Sequence, residues 1–390
     1  MRWRVSLRAA GLVVVLAAAV QLHAGVMYNV TDLGSLGGWG GVPTAINDLG
    51  QVVGYSYQPR FQGTRAFRTA PNQVINALTD DLGTLPGGTY TKAYGINNLG
   101  QVVGRSGLSP GDMDGHAFRT APNQAINPAT DDLGTLGGSF SAAYAINDAG
   151  QVVGEAKLAG ETFTHAFRTR PNQPIDAATD DLGTLGGFWS AAYGINASGQ
   201  AVGAARLSDG GGHAFRTGPG GTINPLTDDL GPAGGGSEGA AINASGQVAG
   251  SFGAEPLGGM RIFRTAPNKA IDPLTDDLGV IGAGPRVRGM NDRGDIVGWY
   301  FAPPAYDYQR AFVCLGSNLI DLNDLINPVP GLTLEVAYGI NNRGQIVVSG
   351  NRDGQIVALR LDPVPEPSAL SVITGVAALA LCRRRHSIGE

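Results

Sequence analysis

A nine-residue phrase recurs seven times along this chain. INDLGQVVG begins at Ile46, INNLGQVVG at Ile96, INDAGQVVG at Ile146, INASGQAVG at Ile195, INASGQVAG at Ile242, MNDRGDIVG at Met290 and INNRGQIVV at Ile340, always 47 to 50 residues apart. Self-similarity at such a period marks stacked units, none of which buries enough surface to be stable alone. Glycine supplies 61 of 390 residues, more than twice the average share of roughly 7%. These glycines recur at fixed phase inside apolar segments, so they punctuate structure and do not signal disorder.

One period, Ala93 to Leu136, contains two hairpins. In the first, AYGI and QVVG flank Asn97-Asn98-Leu99-Gly100; Asn favours the start of a type I turn and Gly closes it. In the second, HAFRT leads through Ala121-Pro122-Asn123-Gln124 toward DDLG, with Pro122 where a turn wants a fixed φ. Short runs of Val, Ile, Phe and Tyr bounded by Gly, Pro and Asn read as strands. Sustained helical periodicity is absent outside the two terminal hydrophobic stretches.

Four antiparallel strands per period predict small sheets that stack around a ring or along a solenoid. The ends choose the ring. Tyr28–Gly34, YNVTDLG, matches the closing DDLGTL strand of later units, whereas the last unit runs through Gln355–Leu361 at the HAFRT position and lacks a closing strand. The expectation is an all-β protein, a β-propeller of about seven four-stranded blades with the N-terminal strand closing the last blade.

The termini carry other signals. MRWRVSLRAAGLVVVLAAAVQLHA has three arginines, an apolar run and small residues ending at Ala24, the pattern of a secretory signal peptide; residues 1–24 are set apart from a body of 25–362 and a tail of 363–390. Only Cys314 and Cys382 are present, and Cys382 lies in the tail, so the body has no intramolecular disulfide and its stability rests on packing. The formal charge of −5 becomes −8 without Arg2, Arg4 and Arg8, and −9 once the tail from Pro363 is also set aside. An acidic body without a basic stripe argues against a nucleic-acid partner.

Two resemblances follow. His-Ala-Phe at His116, His165 and His213, Arg-Ala-Phe at Arg65 and Arg310, and DLGTLGG at Asp132 and Asp181 resemble the extracellular HAF-repeat family of bacterial exported proteins, over about Tyr28 to Asp362. The family carries no securely assigned activity. Arg261-Ile262-Phe263, Ala358-Leu359 and Val348 depart from the pattern and put the regularity of units five and seven in question. The tail, Val364-Pro365-Glu366-Pro367-Ser368, then Ala369–Leu381, then Cys382-Arg383-Arg384-Arg385, resembles a PEP-CTERM sorting signal. That resemblance implies recognition of Pro365, Glu366 and Pro367 by a membrane exosortase. It also implies transient residence of the apolar run in the inner membrane, with Arg383, Arg384 and Arg385 as a cytoplasmic stop, in a Gram-negative, exopolysaccharide-producing host. A plain C-terminal anchor is the alternative.

Chemistry is hard to find among the repeats. The three body histidines share one repeat position with Arg65, Arg261 and Arg310, which a metal ring does not tolerate; no metal, cofactor or catalytic residue is expected. Arg68, Arg119, Arg168, Arg216 and Arg264 follow the Phe, and acid pairs (Asp80-Asp81, Asp131-Asp132, Asp180-Asp181, Asp228-Asp229, Asp276-Asp277) follow across the hairpin. Paired carboxylates suit glycosidases, but repetition at one position points to turn capping and cross-strand ion pairs. LGTLGG precedes no helix and no Lys-Ser/Thr, so it is not a phosphate loop. Asp112-Met113-Asp114-Gly115 lacks the later acidic ligand of a calcium loop and reads as a turn.

The units differ in the segments linking their hairpins: YSYQPRFQGT, RSGLSPGDMDG, EAKLAGETFT and WYFAPPAYDYQ, opposed by SLGGWGG, TLPGGTYTK, TLGGSFS and TLGGFWS. These place Trp39, Tyr90, Phe140, Phe188, Trp189, Trp299 and Tyr300 on one face as candidate ligand residues, either as platforms for sugars or a partner or as filler between blades. The functional expectation is a non-enzymatic surface or matrix protein that binds exopolysaccharide or another surface protein. The rival is a propeller-borne extracytoplasmic polysaccharide lyase or hydrolase, which requires an asymmetric cluster of carboxylates or His on that face. A third reading, a purely structural repeat, predicts no pocket there.

Overall fold

The computed structural model describes residues 27–365 except 60–62, 113, 161, 232–234, 254–258 and 305–306. They form seven antiparallel sheets, the blades of a β-propeller. Blade 2 is representative: Thr91–Ile96 is innermost, followed outward by Val102–Ser106, His116–Arg119 and Asp132–Gly134. The other inner strands are Gly41–Ile46, Gly137–Ile146, Gly186–Ile195, Ser237–Ile242, Ala283–Met290 and Leu332–Ile340. In blades 1 and 4 the closing strand shrinks to one bridge, Phe67 with Asp81 and Phe215 with Asp229. Blades 5 and 7, with their departures from the repeat, are complete four-stranded sheets.

The ring closes as the ends predicted. Tyr28–Asp32 pairs antiparallel with Leu359–Pro363, Tyr28 opposite Pro363 and Asp32 opposite Leu359. Leu33 then occupies the position of Leu82, Leu133, Leu182 and Leu230, all 2% exposed or less. Its amide donates to Ala358 O, and its carbonyl accepts from Ile75 of blade 1.

The nonapeptide now has a reason for each residue. The first Asn caps its own turn: Asn97 Oδ1 accepts from Leu99 N and Gln101 N. Its amide reaches the next blade, Asn47 to Asn97 O, Asn97 to Asn147 O, Asn147 to Asn196 O, and finally Asn341 to Asn47 O across the closure. The Gln joins the next blade's outer turn, as in Gln51 to Asn123 and Gln101 to Asn172. The paired Val residues point to opposite sides of the blade and are wholly buried against both neighbours.

Phe67, Phe118, Phe167, Phe215, Phe263 and Phe312 pack against the preceding blade with less than 2% exposure, Phe118 among Val53, Ala66 and Leu82 of blade 1. Each stands opposite the glycine that ends the repeat, as Phe118 does Gly104. A Cβ on Gly104 would lie 2.0 Å from Lys92 O, so only glycine permits this approach of the two inner strands. Blade 7 solves the same packing differently. Val348 takes the glycine position and faces Leu359 in place of Phe, volume moving from one strand to the other.

The histidines serve the same scaffold. His116, His165 and His213 place Nδ1 2.9–3.1 Å from Asp132, Asp181 and Asp229 of the closing strand. Arg65, Arg261 and Arg310 make the equivalent pairs with Asp81, Asp277 and Asp321, which explains why His and Arg interchange. The first acid of each pair caps the turn, Asp131 accepting from Asn127 N and Thr130 Oγ1. The arginines after the Phe do not make the expected cross-strand ion pairs. They extend to the next blade and donate to carbonyls, Arg68 to Gln124 O, Arg119 to Gln173 O and Arg216 to Lys269 O.

This wiring has a pH signature. Burial alone would raise the carboxyls of Asp132 and Asp181, but hydrogen bonds from the His partner and from the Gly134 or Gly183 amide hold both below the usual range. Burial likewise opposes, and Arg360 and Gln345 outweigh it, at Asp362 of the latch. A folded pKa below the unfolded value of about 3.9 gives stability that is complete above that value and is lost as pH falls through the folded one. The melting temperature is therefore expected to fall steeply below about pH 4, and Asp132→Asn with Asp181→Asn should flatten that fall in a calorimetric pH series.

Candidate functional site

The ring has two unlike faces. On one, the Asn turns of all seven blades surround an axial funnel of about 290 Å³, with Asp48, Asn98, Asp148, Asp292 and Asn342 linked around its mouth by side-chain hydrogen bonds to neighbouring turn amides. This face repeats itself. The other carries the linking segments, and there the blades differ.

At the seam between blades 7 and 1 this second face holds a cavity of about 1070 Å³ lined by Trp39, Tyr57, Gln58, Gln355, Ile356 and backbone of the glycine-rich segment. Trp39 is 61% exposed. The chain beside it threads a narrow gap: a Cβ on Gly38 would overlap Tyr57 O, and one on Gly40 would lie 2.2 Å from Ile356 O. The flanking glycines thus let the backbone press against both blades while the indole stands outward. Asp32 and Arg352 close one edge with a 2.6 Å ion pair.

Between blades 6 and 7 lies a second cavity of about 1010 Å³, lined in part by Tyr300, Tyr308, Arg310, Asp307, Asp321, Asp324 and Glu335. Asp321 is engaged by Arg310 at 2.7 Å and by the Tyr300 hydroxyl at 2.9 Å; burial and this carboxylate push the Tyr300 phenol up to about 12. Burial raises the Glu335 carboxyl above the ordinary range. Asymmetric carboxylates on this face were not legible in sequence, because the four come from separate strands and loops.

The seven aromatics expected on this face do not form one patch. Phe140, Phe188, Trp189, Trp299 and Tyr300, expected in linking segments, lie within strands, because the inner strands of blades 3 and 4 begin early, at Gly137 and Gly186, and the second strand of blade 6 runs on to Phe301. Alternation along a strand then sends neighbours to different places. Trp299 lines a cavity of about 220 Å³ with Glu238, Arg286 and Arg288, while Tyr300 is buried. Tyr90 and Phe140 are buried beside Arg105. Phe188, half exposed, packs on Phe163 at 4.4 Å, and Trp189 is half-buried. Trp39 alone of the seven opens a large cavity with its ring mostly in solvent.

Sequence reasoning passed over the inner strands themselves. Tyr94, Tyr144 and Tyr193 stand in successive blades with rings 5.6 Å apart, and Tyr338 holds the same repeat position, where blades 1, 5 and 6 carry Thr44, Ala240 and Arg288. The signal was present, since AYGIN recurs while one repeat position within it varies.

Pro365 ends the described chain; Glu366, Pro367, Arg383, Arg384 and Arg385 lie outside the described residues, as do the signal-like segment and the tail's apolar run. Among the described residues no helix is long and apolar enough to cross a membrane, and no three His, Cys, Asp or Glu side chains converge as metal ligands. Cys314 is free and buried, its thiol pushed up to about 11 by burial.

Fold and site together define a seven-bladed β-propeller with one uniform face and one asymmetric, cavity-bearing face. No protein-family model matches the chain. No curated protein is detectably similar to it.

Proposed function

We propose that this protein is an exported, non-enzymatic glycan-binding propeller of the cell surface or extracellular matrix, related to the HAF-repeat proteins and sorted through a PEP-CTERM-like tail. The observation that carries the binding role is the seam cavity, where an outward Trp39 stands over a trough edged by Tyr57, Gln58 and Gln355. Aromatic faces stack on the apolar faces of sugar rings, and amides serve their hydroxyls. The N-terminal and C-terminal segments support export followed by exosortase processing, with exopolysaccharide or a surface protein as the partner.

Trp39→Ala should weaken binding to host exopolysaccharide on a glycan array at least about tenfold, equal to 1.4 kcal/mol, with little change in melting temperature. A loss of several kcal/mol of stability, as for a buried aromatic, with binding intact would contradict the reading. For the tail, Glu366→Ala should leave uncut protein in the inner membrane; an intact mass of the wild-type surface form that retains Arg383–Arg385 would refute processing.

The carboxylates of the second cavity favour a different reading, a polysaccharide lyase or hydrolase with Glu335, whose carboxyl burial raises, as its candidate general acid. Turnover of a polysaccharide substrate that disappears in Glu335→Gln would establish it over the binding role.

A further inference from the structure

Blade 2 contains an arrangement that the scaffold does not explain. Lys92 on its inner strand and Arg105 on the next are direct cross-strand neighbours. Like charges placed opposite one another in a sheet repel, and burial together with Arg105 lowers the Lys92 pKa. The corresponding pairs elsewhere are Val42 with Tyr55, Ala142 with Glu155, Ala191 with Ala204, Glu238 with Ser251, Arg286 with Trp299 and Val336 with Ser349. Blade 2 alone opposes two cations, in an acidic protein.

Neither cation has a carboxylate partner among the described residues. The nearby acids are committed elsewhere. Glu155 accepts from the Tyr144 and Thr164 hydroxyls, Asp114 faces Lys157, and Asp112 is folded onto Leu108 N, Asp114 N and Gly115 N of its own loop. Lys92 Nζ instead lies 4.6 Å from the Tyr55 ring centroid, and the Arg105 guanidinium lies 5.5 Å from Tyr90 and 5.3 Å from Phe140. Aromatic faces hold a cation's position without neutralising it. Arg105 Nε is buried and has no hydrogen-bond partner, a cost that a protein rarely leaves uncompensated.

From this geometry we infer that Lys92 and Arg105 form an anion subsite that takes the carboxylate of a uronic acid residue. The inference rests on and deepens the glycan-binding reading: it makes the ligand an acidic polysaccharide. The terminal nitrogens of the Arg105 guanidinium make no ion pair among the described residues and are the donors a carboxylate can reach, since Nε itself is buried; the Lys92 ammonium adds a second charge. A carboxylate bridging Lys92 and Arg105 would offset the repulsion between the two opposed cations. Tyr90 and Phe140, which stability alone would place as filler, become the walls that aim Arg105.

The test is calorimetric titration and thermal melting of the full chain with galacturonate trimer, a neutral trisaccharide, and free galacturonic acid. The trimer should bind wild type at least tenfold more tightly than the neutral trisaccharide, with an affinity that falls as salt rises. Lys92→Met and Arg105→Met should each reduce trimer affinity at least tenfold, while ligand-free Lys92→Met melts no lower than wild type. Arg105→Lys keeps the charge without the fork; an intermediate loss supports the subsite even where Arg105→Met fails to fold. Free galacturonic acid separates the two proposals: binding that depends on Lys92, with no binding of any oligosaccharide, upholds the anion subsite and sinks the polysaccharide reading. Equal affinity for acidic and neutral trimers, no binding of any carboxylate, or variants that bind as wild type would overturn the inference and leave both cations as packing.

Discussion

Removal of residues 25–34 should lower the melting temperature by several degrees, roughly 5 °C or more, and drive the protein to aggregate, whereas truncation after Pro365 should do neither. The deletion removes the outer strand of blade 7, its pairing with Leu359–Pro363, and two buried side chains, Tyr28 and Leu33, at 4% and 1% exposure. Burying such residues contributes about 1.5–3 kcal/mol each, and at about 2.1 cal/mol/K of unfolding entropy per residue a domain of this size shifts by roughly 1.5 °C per kcal/mol. Leu33 also packs among Val52 and Phe67 of blade 1 and Val347 and Ala358 of blade 7, so its loss loosens the seam between the first and last blades. The exposed edge of Gln355–Pro363 then becomes a template for pairing with another molecule. Equal melting of both truncations in differential scanning calorimetry would show that the ring holds without its latch.

Gly104→Val should be among the most damaging single substitutions in the scaffold, at about 3 kcal/mol or more, the upper end for overpacking. The new Cβ meets Lys92 O at 2.0 Å and Ala93 Cα at 2.9 Å, backbone that cannot yield without moving the inner strand. The seventh blade shows what accompanies a valine there: Val348 faces the smaller Leu359 in place of Phe. Accordingly, Leu359→Phe alone should destabilise by about 1–3 kcal/mol, and adding Val348→Gly should recover part of that loss. Additive effects in a urea-denaturation double-mutant cycle would show that the two positions are not coupled.

Much of this architecture is written in local chemistry. The strand runs, the Asn–Gly turns and the split final unit are each visible within ten residues, so blade number and the latch followed from sequence. Even the departures at Val348 and Leu359 only change which strand supplies the volume, and Ile262 is buried in a blade that keeps its Phe263–Gly250 pair. The site was legible less evenly. Trp39, flanked by glycines on both sides, was one of seven aromatics read alike in sequence, and of those it is the most exposed ring. Tyr90, Phe140 and Tyr300 looked equivalent to it yet are buried, because strand alternation, not membership of a variable segment, decides where a side chain points. The opposition of Lys92 and Arg105 depends on cross-strand register, and the meeting of Asp307, Asp321, Asp324 and Glu335 depends on the placement of two blades. Neither relation exists along the chain itself. The role of the arginines after the Phe was misjudged for the same reason: Arg68 and its equivalents have their partners in the following blade.

The proposed recognition belongs to the asymmetric face. Hydrogen–deuterium exchange of the full chain, with and without the host's own exopolysaccharide, tests it directly. Protection is expected in the segments around Trp39, Tyr57 and Gln355 and along the opposed strands carrying Lys92 and Arg105, while the Asn turns at Asn47, Asn97 and Asn147 exchange unchanged. Protection confined to those turns, or an exchange pattern indifferent to the polysaccharide, would contradict it.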